Sequence, residues 1–324
     1  MSLFTGRLVE IGIGKETSRG VGVAADYWIP KTTLSFDDKV TKALVAGSYG
    51  HITDAAMTAQ VVSKWAEGNI EGELNANSFG LLLLALVGSE SYSSPETGVG
   101  KHDYSLSNSV QHQSLTIHVN DPIGAMRFRM AMINSLEISV ALGEYVRYRA
   151  NFISKVHQDE GSQSPSYSVD HRFTHPNLTF KVADSVGDLS SASKISVKDL
   201  TLTIEKEVEK IEVLGTLEPE DIVNKTIRIK GSLELNYEDR TWRDYMLNGN
   251  IKAMQIKLVG KKIGATQYAT LDFQFPKVHF FEWEPTRELG DIATQSINFE
   301  VMFDLSNERL WSTLQLINTV TSAY

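Results

Sequence analysis

Residues 68–88, GNIEGELNANSFGLLLLALVG, join a strand periodicity to an unbroken apolar run, and that restricts what the surrounding chain can fold into. Ile70, Gly72 and Leu74 alternate with Glu71, Glu73 and Asn75, the period of a strand with one dry and one wet face. Asn75, Asn77 or Ser78 can cap a helix that begins here, because their side-chain oxygens accept from the orphan N–H groups of a first helical turn. Residues 79–87 are apolar on every side, and Gly88 suits the left-handed position that closes a helix. The run is too short for a bilayer, which needs ~20 residues. An all-round apolar helix of this length is therefore expected to be clamped between two protein surfaces.

The same order returns at residues 229–249, IKGSLELNYEDRTWRDYMLNG: a Gly-polar-Leu strand, an Asn/Asp cap, a short helix carrying Trp242 and Met246, and a closing glycine. Upstream, TLSFDDKV at 33–40 matches TLTIEKEV at 201–208, which aligns Leu34 with Leu202. Downstream, SLTIHV at 114–119 corresponds to ATLDFQF at 269–275. Each half then ends on a long two-strand segment, 136–152 and 278–303. Four landmarks in one order, offset by roughly 150 to 170 residues, indicate an internal duplication. The expected division is a first domain at 1–155 with an N-terminal arm, a connector at 156–194 and a second domain at 195–324. The connector is rich in Ser, Asp, His and Gly and is expected to hold one strand near 178–182. The fold class read from the alternation is all-β with short helices. Long hairpins with one polar face can remove their edges by joining neighbours in a closed ring.

Composition narrows function mainly by exclusion. The chain has 324 residues, a formal net charge of −9 and no cysteine. An acidic balance argues against a grip on nucleic acid built from phosphate neutralisation. Without cysteine there is no disulfide frame, thiolate metal site or cysteine nucleophile. The N-terminus lacks a signal peptide's basic start and apolar core, which leads to the expectation of a cytosolic product. The Gly12-Ile13-Gly14-Lys15 segment has the wrong glycine spacing for a phosphate loop and Glu16 where that motif needs Ser or Thr, so it reads as a turn.

Candidate chemistry is sparse. His171 and His175 are four apart, a metal-holding spacing on a helix, but Pro176 comes next and the surroundings read as loop. His112 and His118 read as surface or hydrogen-bonded histidines. Glu282 and Glu284, or Asp37 and Asp38 with Glu205 and Glu207, could be paired carboxylates of a glycosidase. No sugar-stacking aromatic pattern accompanies them, and solvated acidic faces are the favoured reading. Asn177-Leu178-Thr179 fits a glycosylation acceptor without any secretory context. No catalytic constellation, cofactor site or metal site is expected.

The chain resembles the tail-tube (major tail) proteins of long, non-contractile-tailed bacteriophages, in the form with two tube domains per chain. The resemblance rests on Gly6-Arg7, on YWIPK at 27–31 with LSFDDK at 34–39, and on Gly72-Glu73-Leu74 with FGLLLLALVG at 79–88. In the second half it rests on GDIATQSINF at 290–299 and Leu316-Ile317-Asn318-Thr319 with Tyr324. It implies β-sandwich or barrel domains whose hairpins build a continuous inner barrel, in rings that stack into a tube conducting DNA from capsid to host. Two domains per chain imply trimers with pseudo-sixfold symmetry. The implied partners are further copies of the chain, a tape-measure protein and tail-tip or terminator proteins, with no membrane and no cofactor. The implied location is the virion, after assembly in the host cytoplasm.

On that reading Glu71, Glu73, Glu137, Ser139, Glu234 and Glu300 are candidates for the channel face, with Arg147 and Arg149 pairing to carboxylates such as Glu137. Phe79, Leu81, Leu82, Leu83, Leu84, Leu86, Trp242 and Met246 are candidates for domain or subunit interfaces. Tyr49, His51, Ile52, Met57, Tyr92 and Tyr104, on long arms at 46–66 and 89–113, are candidates for ring stacking. Two other readings stay open: a tube or baseplate component of a contractile injection or type VI secretion machine, and a carbohydrate-binding β-sandwich.

Overall fold

Alternating apolar and polar residues dominate the chain, and the computed structural model is accordingly all-β with short helices; it describes residues 3–44, 50–52, 59–169 and 171–324. The first half contains β1 (Glu10–Lys15), β2 (Tyr27–Ile29), β3 (Lys31–Ala43), β4 (Gln60–Glu73), α1 (Ala76–Val87), β5 (Gly88–Glu96), β6 (Val99–Leu106), β7 (Leu115–Asn120), β8 (Ala125–Ala141), β9 (Arg147–Ser154) and β10 (His157–Glu160). The second contains β11 (Leu178–Ala183), β12 (Asp199–Ile211), β13 (Asp221–Asn236), α2 (Thr241–Leu247), β14 (Lys252–Lys262), β15 (Tyr268–Thr286), β16 (Thr294–Val301) and β17 (Thr313–Asn318).

These strands form one curved inner sheet and two outer layers. The inner sheet runs β3-β4-β9-β8-β12-β13-β16-β15, antiparallel throughout, and crosses from one half to the other where β8 pairs with β12. One outer layer is β2-β1-β7-β8-β10. The other is β11-β14-β15-β17-β6-β5. β8 and β15 are long because each begins in an outer layer and ends in the inner sheet, which turns a corner without a chain break.

Two sequence expectations change here. Residues 12–15 are not a turn but part of β1, an interior strand, with Ile11 and Ile13 fully buried. Glu16 ends that strand as a buried carboxylate that accepts from Gly20 N (2.8 Å), Ser114 Oγ (2.6 Å), Thr116 Oγ1 (3.1 Å) and Met130 N (2.8 Å). A buried carboxylate needs such saturation. The bond from Met130 N ties it to a residue with a positive φ of 54°. The stretch at 89–113 is not a free arm: β5 and β6 form a hairpin there, and β6 pairs with β17 to extend the outer layer of the second half. Tyr104 on β6 is buried and donates to Gly80 O at 3.1 Å, so it does not project as an arm.

α1 lies between these layers and touches strands of both halves, among them β8, β6, β17 and β15. Every residue of the helix is buried, including Phe79, Leu81, Leu82, Leu83, Leu84 and Leu86. None of that apolar surface faces outward from the chain. A carbon added at Gly80 would lie 2.1 Å from the Tyr324 ring, so only glycine lets this helix approach the C-terminal segment. Tyr324 is buried, and its hydroxyl donates to Asn77 O at 2.6 Å.

A dry helix must have its end groups satisfied from within the protein. Asn75 caps the start, its side-chain oxygen accepting from Asn77 N at 3.0 Å, and Gly88 closes the end with φ 87°. At the C-terminus, Lys206 Nζ donates to Ala85 O (2.7 Å), His112 Nδ1 lies 3.0 Å from Leu86 O, and Ser107 N donates to Val87 O (2.8 Å). Lys206 comes from β12, so the second half supplies the donor for the first half's helix. A cation is also favourable at this negative end of the helix dipole.

Burial, followed by the nearby charge of Arg19, pulls the Lys206 pKa down from its ordinary value to about 7. Between that value and the ordinary lysine range the unfolded chain holds a proton that the folded chain has released, so stability should rise with pH across this window. Lys206→Met should flatten the rise, as read from denaturation midpoints at about pH 7 and pH 9. It should also lower the midpoint near pH 9, because Ala85 O loses its donor.

Candidate functional site, a polar sheet face with two free edges

The inner sheet has one dry face. Phe36, Ile70, Tyr148, Ile138, Leu202, Leu233, Ile297 and Phe280 are buried against the core cluster that includes α1. Its other face is polar, and the period of two sends alternate residues of every strand there. The candidate channel residues Glu71, Glu73, Glu137, Ser139, Glu234 and Glu300 all lie on this second face, in neighbouring rungs.

One rung reads Thr33–Glu71–Arg149–Glu137–Thr203–Lys230–Glu300–His279, each residue opposite the next on the adjoining strand. Acidic and basic groups alternate along it, the arrangement that cross-strand neighbours favour. Arg149 Nε lies 3.2 Å from Glu71 Oε1, and the register sets Arg149 opposite Glu137 on its other side. The next rung reads Glu73–Arg147–Ser139–Thr201–Ser232–Asn298–Glu282. Arg147 ion-pairs with Glu144 at 3.2 Å, and Glu73 with Arg172 at 2.5 Å. Lys230 Nζ meets Glu205 at 2.6 Å. Carboxylates outnumber cations on this face, and Arg147, Arg149 and Lys230 are held beside carboxylates.

Alternation along β12 sets Thr203 and Glu205 on this face, and sequence reading missed only Lys230 beside them. Strand parity carried the signal, since Lys230 shares the phase of Ser232.

The inner sheet ends in two edges. β3 pairs only with β4, and residues 279–286 of β15 pair only with β16 among the described residues. Between these edges the sheet consists of two four-strand units with the same internal marks. In β3-β4-β9-β8 the rung Phe36–Gly68–Phe152–Ile133 is succeeded by a bulge at residue 134 and by a hydrogen bond from Asn151 Nδ2 to Ser135 Oγ of 2.6 Å. In β12-β13-β16-β15 the rung Leu202–Gly231–Phe299–Phe280 is succeeded by a bulge at residue 281 and by a bond from Asn298 Nδ2 to Glu282 Oε2 of 2.6 Å. These rungs set Phe36, not Leu34, in the place of Leu202, and Gly68, not Gly72, in the place of Gly231. The sequence alignment of the halves is thus displaced by two residues on β3 and by four on β4. A period of two looks the same after any even shift, so pattern matching does not register such a slip.

The family model for the phage tail tube protein matches residues 6–301, and so spans both units of the inner sheet. The chain belongs to the phage tail tube protein family. It is a structural virion component that assembles into a tube. A comparison with curated proteins returns no significant match.

The remaining candidates fall in several places. His51 and Ile52 are exposed beyond the β3 hairpin, while Tyr49 and Met57 lie outside the described residues. Tyr92 is half-buried, its ring 5.4 Å from that of His102. Trp242 is buried on α2 with its ring 5.3 Å from Phe280, and Met246 is half-buried. Glu282 and Glu284 lie two apart on an exposed stretch, and Glu282 is engaged by Asn298. His118 is buried between Glu160 and Val23 O, both at 2.6 Å, and His175 Nδ1 accepts from Gly143 N at 3.2 Å. Among the described residues no three potential metal ligands cluster, and no helix is long and apolar enough to cross a membrane.

Like charges meet at the Asp199 rung, as they do where Asp37 stands opposite Glu67. Asp199 stands opposite Glu234, and burial followed by the Glu234 charge raises its pKa above the ordinary value. A raised carboxylate pKa favours folding at low pH and disfavours it as pH climbs through the folded value. Asp199→Asn should therefore raise stability at pH 7, as read from denaturation, towards the low end of the ~0.2–1 kcal/mol of a cross-strand like-charge pair because solvent screens this rung. The gain should vanish near pH 3.

Proposed function

We propose that three copies of this chain close into a ring with pseudo-sixfold symmetry, and that rings stack into the tail tube of a long, non-contractile-tailed phage. The observation that carries this reading is the seam between β8 and β12. There, two like four-strand units join edge to edge inside one chain, and the joined sheet still ends in an open strand on each side. A sheet that has already joined one pair of units in this way can join further copies by the same geometry until the ring closes, which abolishes the edges. The likeness of the units supports descent from one duplicated tube domain, with the two domains and connector divided near 155 and 195.

The polar face lines the channel on this reading, because α1 and the outer layers cover the other one. Its excess of carboxylates, with Arg149 and Lys230 beside acidic partners, gives DNA phosphates little to hold. DNA then passes from capsid to host without specific binding. Tape-measure and tail-tip or terminator proteins are the further partners of such a tube, assembled in the host cytoplasm.

Stacking falls to the hairpin tips. Val61, Val62, Leu214 and Leu217 line one shallow depression there; Leu214 is fully exposed, and Lys64 N donates to Leu217 O at 2.8 Å. An exposed apolar group of this kind marks a contact surface. His51 and Ile52 extend the same end.

Electron microscopy of the purified protein over a range of concentrations, with its mass in solution, tests the reading. Rings of three chains and hollow tubes are expected. Rings of six chains would overturn the trimer, and a monomer that never polymerises, even with tail-tip complexes added, would overturn the ring. Leu214→Asp should leave ring mass unchanged and abolish long tubes.

A further inference from the structure

We infer that residues 282–286 of one protomer pair antiparallel with β3 of the next copy, in a register that sets Glu282 opposite Lys39 and Thr286 opposite Ser35. The inference rests on the ring reading and adds to it the residues that meet.

The register derives from the seam inside the chain. There Ser135 stands opposite Glu205, Leu136 opposite Ile204 and Ile138 opposite Leu202. The two units superpose by their shared marks. Ser135, which accepts from Asn151 just beyond a bulge, takes the place of Glu282, which accepts from Asn298 just beyond a bulge. Phe36, opposite Gly68, takes the place of Leu202, opposite Gly231. Three residues beyond these, Glu205 corresponds to Lys39. Carrying the seam onto the two open edges therefore brings Glu282 of one copy to Lys39 of its neighbour.

Charge and exposure agree with this register. Lys39 and Glu282 lie on the polar face of their strands, as Glu205 and Ser135 do at the seam. Glu284 then falls opposite Asp37, within diagonal reach of Lys39, which lies between the two carboxylates of β15 and that aspartate. Each register opposes one acidic pair, Glu284 with Asp37 in the inferred one and Glu282 with Asp37 in the one displaced by two residues, which the plain sequence alignment of Leu34 with Leu202 would give. Only the inferred register adds a directly opposed Glu–Lys pair, Glu282 with Lys39. Pro285 has no N–H to offer and is found at an edge, where a strand tolerates it. In the inferred register it meets Phe36, as Ile138 meets Leu202 at the seam.

The chain has no cysteine, so introduced pairs report without background. Glu282→Cys with Lys39→Cys should, in assembled rings under mild oxidation, give covalent dimers and closed trimers on a non-reducing gel. Glu282→Cys with Asp37→Cys should link several-fold less. Ser135→Cys with Glu205→Cys, placed across the seam, should close within one chain and serves as the positive control. Assembled rings in which the Asp37 pair links better, or in which neither pair links while the seam control does, overturn the register. Wild-type protein that stays monomeric by mass before any oxidation overturns the ring reading instead.

A second measurement needs no variant. Carbodiimide coupling of wild-type rings should yield a Lys39–Glu282 cross-linked peptide by mass spectrometry that is absent from the monomer. Rings whose cross-linked peptides join Lys39 only to other carboxylates overturn the inference.

Discussion

The burial of α1 is the constraint on which the rest of the structure depends. A helix apolar on all sides has no stable surface position, so the chain must enclose it, and enclosing it dehydrates both of its ends. The outer carbonyls are met by groups from distant parts of the sequence: Lys206 from β12, His112 from the segment before β7, and Ser107 from the end of the β5–β6 hairpin. Each of these bonds crosses from one part of the chain to another. The helix therefore holds the two halves together as a single body, with the inner sheet on one side and the outer layers around it.

Continuity of the inner sheet results from the same enclosure. With α1 and the outer layers covering one face, the other is left polar, and each strand's alternation serves both at once. The β8–β12 seam then lets the sheet run through the whole chain. β8 and β15 link the layers by leaving one and entering the other, and a saturated carboxylate at Glu16 holds the corner where β8 turns. The same polar face that sequence alternation distributes along separate strands becomes rows of alternating charge once the strands are in register.

Much of this was legible in the sequence. Strand parity alone set Glu71, Glu73, Glu137, Ser139, Glu234 and Glu300 on one kind of face, and the cap, apolar run and glycine gave α1 nearly to the residue. What escaped depended on partners far away in the chain. The β5–β6 hairpin read as a loop because the strand it joins, β17, lies some two hundred residues later, as in the pairing of Asp103 with Gln315. Lys206 escaped although it shares the phase of Leu202 and Ile204. A lysine at an apolar position is an oddity until the helix end that needs it is in view. The alignment of the two halves slipped by two residues on β3 and by four on β4 because a period of two looks the same after any even shift.

The sequence by itself determined the all-β class, the buried helix and the polar parity of each strand, because these depend on residues within a few positions of one another. Tertiary structure alone decided which strands adjoin, which carboxylate faces which cation, that the polar face and not the apolar one stays open, and that β3 and the end of β15 each keep one free edge among the described residues. Those outcomes depend on register between distant segments, and register is fixed by packing around α1 and by bulges that local periodicity does not record.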